Sequence, residues 1–166
     1  MTTWLLGVVR YAVAIALVVA AAWKVRDFRA FGATLAGYGI RAPWDRPAAV
    51  AVIAAETATA ITAFLPVSDR FAGAPVAALG AVFLASQVYV LSTGAHTPCL
   101  CFGAANAEPP SAKTAARAAL VHVAGLLLLF AGAGTGRALN PLAVLAAPVL
   151  LAASGYLLRA IPRRSQ

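Results

Sequence analysis

The chain is short of charge, and of acidic charge above all. Only 11% of its 166 residues are charged, with five Asp and Glu against thirteen Lys and Arg. A soluble domain carries about 25% charged residues to hold its surface in water, so an ordinary water-exposed globule is excluded. The strand-length alternation of apolar and polar residues that marks a transmembrane barrel is missing too. No paired carboxylates, Ser-His-Asp arrangement, phosphate loop or dinucleotide-binding glycine pattern occurs. Cysteine is almost absent: the chain has two, Cys99 and Cys101.

What the chain does have is hydrocarbon. Hydrophobic residues make up 62% of it and the mean hydropathy is +0.85. Several apolar runs reach the ~20 helical residues that cross a bilayer core of about 30 Å. In lipid the backbone must satisfy its own hydrogen bonds, so these runs are expected to be helices. Hydropathy and punctuation place them near 4–22, 48–65, 74–91, 115–131 and 142–158. Pro66 and Pro75 are expected to bracket the loop after the second span. Ser111 is a candidate cap for the fourth, Asn140-Pro141 opens the fifth, and Pro148 is expected to kink it. Small residues four apart favour close helix packing without singling out a face. The fold expected is an all-α polytopic transmembrane bundle, a four-helix core plus a fifth span. Residues 1–166 form one integral domain of a multi-pass cell membrane protein of bacterial inner-membrane type. Ala20-Ala21-Ala22 resembles a signal cleavage site, but Met1-Thr2-Thr3 lacks a basic start and Arg10 interrupts the apolar run, so retention is expected.

The net charge of +8 does not point to nucleic acid, because the basic residues sit at the ends of the apolar runs. Lys24, Arg26, Arg29, Arg41 and Arg46 fall in the first loop, Lys113 and Arg117 in the third, and Arg159, Arg163 and Arg164 in the tail. The other side has little beyond Arg70 and Arg137. With five spans, Lys and Arg bias therefore places the first and third loops and the C-terminus in the cytoplasm. Within the first loop, Phe28, Phe31, Leu35 and Tyr38 fall near one face of a short helix, with Lys24, Arg26 and Arg29 free to meet headgroups. That pattern predicts a helix lying in the membrane interface, against the alternative of a plain loop weakened by Gly32 and Gly37.

Polar residues inside the spans are costly and must face the bundle. Glu56 lies near the middle of the second span, and Arg10 is its expected partner. The pair is either structural or a proton acceptor. Gln87 and His122 are expected toward the helix ends nearest the cysteines, where a neutral imidazole could take a proton from a thiol. A packing role for His122 is the alternative.

The cysteines occupy His96-Thr97-Pro98-Cys99-Leu100-Cys101-Phe102-Gly103. A C-x-C disulfide closes a small ring, which is a poor staple and a reasonable site for reversible exchange. Two other readings stay open: a pair of buried unreactive thiols, or a soft-metal site from His96, Cys99 and Cys101.

Cys99-Leu100-Cys101-Phe102-Gly103 resembles the C-x-C-F-G element of the MauE family of methylamine-utilisation proteins, relatives of DoxX-like membrane proteins. The segment from Lys24 to Phe31 and on through Tyr38-Gly39, the acidic Glu56 and the basic Arg117 are similar in order and spacing. The resemblance runs through most of Trp4 to Phe130. It implies a maturation factor for disulfide-rich proteins, working with a thioredoxin-like or other dithiol partner, with Cys99 and Cys101 as the redox pair. Glu56 and His122 would be proton-transfer residues and a quinone a candidate electron acceptor. Where the family often has glycine between the cysteines, this chain has Leu100, which narrows the backbone options for closing the ring. The alternatives are a metal-handling membrane protein and a non-catalytic membrane assembly subunit. Oxidative maturation of exported proteins also calls for thiols outside the cytoplasm, while the basic residues place this loop inside.

Overall fold

The computed structural model describes residues 2–94 and 109–131. Over these the chain is all-α. Helix α1 (Thr2–Arg26) runs to a short helix α2 (Phe28–Leu35) and a single 3-10 turn at Ala36–Tyr38. Helices α3 (Asp45–Phe64), α4 (Asp69–Thr93) and α5 (Ala112–Ala131) follow. All four long helices are long and apolar enough to cross a membrane. The fifth expected span, 142–158, with Asn140, Pro141 and Pro148, and the segment holding His96, Cys99 and Cys101 lie outside the described residues.

Helices α4 and α5 start or stop for local reasons. Ser68 caps α4, its Oγ accepting from the Phe71 amide at 3.2 Å. Pro75 therefore lies inside α4 rather than closing the loop before it. Its missing N–H would bond the Phe71 carbonyl, so the disruption is confined to the first two turns. Ser111 and Thr114 form a reciprocal cap at the start of α5. The Thr114 amide donates to Ser111 Oγ at 3.4 Å and the Ser111 amide to Thr114 Oγ1 at 3.0 Å. Gly94 ends α4 in the left-handed region, with φ of 65°.

Large apolar side chains cover the surface, and several charged and polar ones join the apolar core. Phe71, Val82, Leu120 and Phe130 are exposed, whereas Arg10, Lys24, Glu56, Asp69 and Gln87 are buried. Water would reverse that arrangement; hydrocarbon outside the bundle produces it, because only apolar side chains meet lipid at no cost.

Helices α4 and α5 approach backbone to backbone. A Cβ added at Gly80 would lie 2.5 Å from the His122 amide nitrogen, and one at Gly125 would overlap Ala77. These glycines, with Gly73 against Leu129, select the face that small-residue spacing alone left open. Helix α1 packs Val13 and Leu17 against Ala60 of α3 and against Val76 and Leu79 of α4. The short helix forms as expected, but its apolar face turns inward: Phe31 and Leu35 pack on Ala49 of α3, with Phe28 and Val52 beside them. Gly32 is buried without ending the helix.

Candidate functional site: two buried ion pairs

Among the described residues the bundle holds two buried ion pairs, both made by α1, and helix geometry determines which residue meets which. Arg10, Ala14, Leu17, Ala21 and Lys24 recur at steps of four and three along α1, and all are buried. Cα–Cβ bonds tilt toward a helix's N-terminus. Arg10 therefore reaches toward the start of α1 and Lys24 points back into the bundle. Helix α3 runs antiparallel, so Glu56 leans toward the end of the bundle where Lys24 lies.

Lys24 Nζ meets Glu56 Oε1 at 2.6 Å, with side chains 3% and 0% exposed. Arg10 instead joins Asp69, Nη1 to Oδ1 at 2.9 Å. The expected Arg10–Glu56 pair does not form. Arg10 lies level with Ala63, seven residues or about 10 Å of helix from Glu56, and the two side chains lean apart. Nor does Lys24 reach for headgroups, since it is buried; Arg26 and Arg29 remain exposed. Sequence reasoning missed both Lys24 and Asp69 as interior partners. For Lys24 the signal was present, because it continues the stripe that begins at Arg10.

The two pairs are chemically different. Arg10 also donates from Nε to the Ala63 carbonyl at 2.7 Å, from Nη1 to Val67 O at 2.9 Å, and from Nη2 to Leu65 O. It thus serves the carbonyls that the end of α3 and the Pro66 turn leave without helical partners. Lys24–Glu56 sits beside two aromatic rings. The Lys24 ammonium lies 5.5 Å from the Phe31 ring centroid and 5.7 Å from that of Phe83. Gln87, one turn beyond Phe83 on α4, donates from Nε2 to Tyr38 Oη at 3.4 Å.

His122 lies at the middle of α5, not near its loop end, and its Nδ1 is 2.9 Å from the Ala77 carbonyl of α4. Ten residues, about 15 Å of helix, separate it from the start of α5. Gln87 lies in the last two turns of α4, as expected. Among the described residues no group of three His, Cys, Asp or Glu side chains could hold a metal ion.

An up-and-down helical bundle with an apolar exterior and two ion pairs buried in its interior is a multi-pass integral membrane protein. The family model described as methylamine utilisation protein MauE matches residues 2–133, and the chain belongs to that family. The matched stretch contains all four long helices and both cysteines, and ends before 142–158. No curated protein and no solved structure matches the chain.

Proposed function

We propose that this protein is a membrane thiol–disulfide exchange or protein-maturation factor acting through Cys99 and Cys101. The observation that carries this reading is a family match that spans the chain's two thiols, spaced for a small and readily exchanged disulfide. The family's printed description ties it to methylamine utilisation; the wider reading is maturation of a disulfide-containing protein with a thioredoxin-like or other dithiol partner. A partner thiolate attacks one sulfur of the Cys99–Cys101 disulfide and passes through a mixed disulfide. The second partner thiol then displaces it, leaving the partner oxidised and this chain with two thiols. Reoxidation transfers the electron pair to a disulfide or a membrane quinone. Because thiolate is the attacking species, protons must be stored and returned. Glu56 is the carboxylate suited to this, whereas His122 has its Nδ1 engaged by the Ala77 carbonyl and serves better as a clamp between α4 and α5.

Alkylation trapping in membranes tests the proposal. Both cysteines should shift between thiol and disulfide with the redox state of the medium. Cys99→Ser or Cys101→Ser should accumulate a mixed disulfide with the partner, and the double variant should abolish function. Full function in the double variant overturns it.

A further inference from the structure

We propose that the corner between the 3-10 turn and α3, built around Arg41, Trp44 and Arg46, binds the headgroup of an anionic phospholipid. The inference goes beyond the thiol–disulfide reading and shares no residue with it, so either can fail alone.

Local packing forms the corner. The Ile40 amide donates to the Leu35 carbonyl at 3.0 Å, and the Ile40 side chain packs on the cluster of Phe31, Leu35 and Ala49. That contact holds the chain after the 3-10 turn against the start of α3. The Trp44 amide then donates to the Arg41 carbonyl at 2.9 Å, and the Ala48 amide to the Trp44 carbonyl at 3.0 Å. Arg41 and Arg46 thus flank Trp44 on a short, hydrogen-bonded piece of chain. All three side chains are exposed, Trp44 to 69%.

Charge, depth and apolar surface together specify the ligand. Among the described residues neither Arg41 nor Arg46 makes an ion pair. Asp45, between them in sequence, stands in the first turn of α3, where the free amides favour a carboxylate. Arg26 and Arg29 add two exposed guanidiniums at this end, against the half-buried Asp27. Among the described residues the opposite end exposes one charged side chain, Arg70. Asp45 begins a helix long and apolar enough to span, so the corner lies where hydrocarbon gives way to headgroups. Apolar surface continues from it into the membrane, since Val50, one turn beyond Arg46, is 56% exposed. An anionic phospholipid matches both parts. Its phosphate oxygens accept paired N–H donors from the guanidiniums, and its acyl chain lies along Trp44 and Val50. A zwitterionic headgroup brings its own ammonium, which offsets the attraction. An acidic protein would meet the charges and leave the apolar strip unused.

Tryptophan quenching by brominated lipids, with the full-length protein in phosphatidylcholine vesicles, tests this. The chain has three tryptophans. Trp4→Phe with Trp23→Phe leaves Trp44 as the reporter. Trp23→Phe with Trp44→Phe leaves Trp4, 45% exposed at the opposite end, as the reference. Both leaflets have the same composition, so the orientation of the protein does not enter. Brominated phosphatidylglycerol should quench Trp44 at about fivefold lower mole fraction than brominated phosphatidylcholine. That is the effect of one net positive charge, two arginines less Asp45, at a lipid surface. Trp4 should be quenched equally by both lipids. Arg41→Gln with Arg46→Gln should bring the Trp44 ratio to one or below, with helicity by circular dichroism and the Trp4 ratio unchanged. Equal quenching of Trp44 by the two lipids with both arginines present overturns the proposal. So does a preference that survives the double glutamine variant, or one that is as large at Trp4. Capture of an acidic protein through Arg41 and Arg46, with no lipid preference, overturns it as well.

Discussion

Arg10 of α1 binds Asp69 of α4 at 2.9 Å while donating to the carbonyls of Ala63, Leu65 and Val67. One guanidinium thereby joins three helices at the end of the bundle opposite α2. The fork geometry matters: five N–H donors in a fixed plane can address several acceptors that a compact ammonium cannot.

Arg10→Met is expected to destabilise the bundle by about 3–5 kcal/mol, since it strands Asp69 and several carbonyls in the interior. Arg10→Lys should recover less than half of that loss. Unfolding in mixed detergent micelles, followed by circular dichroism, gives both values. Equal stability of Arg10→Lys and wild type would show that charge alone is sufficient there.

Gly80→Ala and Gly125→Ala should each cost about 1–3 kcal/mol, because the added methyl meets backbone of the facing helix. Gly32→Ala is the control. It has nothing within 4 Å of the new Cβ and lies in a helix, so a gain of about 0.5–1 kcal/mol is expected. Thermal unfolding of the three variants side by side checks the contrast.

Lys24→Met and Glu56→Leu should each lower stability by about 3–5 kcal/mol when made alone, because each leaves a buried charge without its partner. Made together they should cost much less than the sum. A double-mutant cycle measures the coupling, and additive losses would mean that the two side chains do not meet in the folded protein.

The exposed Arg26, Arg29, Arg41 and Arg46 all lie at the end of the bundle that α4 leaves and α5 enters. Lys24 drops out of that count because it is buried, and the bias persists without it. A membrane-impermeant maleimide should therefore label Cys99 and Cys101 only after cells are permeabilised. Labelling in intact cells would reverse the orientation and place the thiols on the oxidising side.

Much of the architecture is legible from composition because lipid imposes a one-dimensional rule: about 20 apolar residues in a row become a spanning helix. The four described spans lie where hydropathy puts them. Their ends move by a few residues because capping groups such as Ser68 act locally and outweigh hydropathy averages. Pro75 illustrates the same point, since a proline near a helix start is compatible with a cap further upstream.

The interior pairing was less legible. Glu56 and Arg10 both stand out as charges within apolar runs, and proximity in depth suggests joining them. What that reasoning omits is direction: in antiparallel helices the two side chains lean toward opposite ends, so each finds a partner nearer the membrane surface. His122 was likewise placed by sequence distance from the cysteines, whereas the glycine-lined contact with α4 sets its actual neighbours.

By itself the sequence determined that this is a helical membrane protein, where its four described long apolar helices lie, and that a handful of charges must be hidden, because hydrophobicity and backbone satisfaction act along the chain. Only the tertiary structure decided that Lys24 belongs to Glu56 and Arg10 to Asp69, and that α2 turns its aromatic face inward. Those outcomes depend on the relative depth and tilt of helices distant in sequence, and no local pattern encodes them.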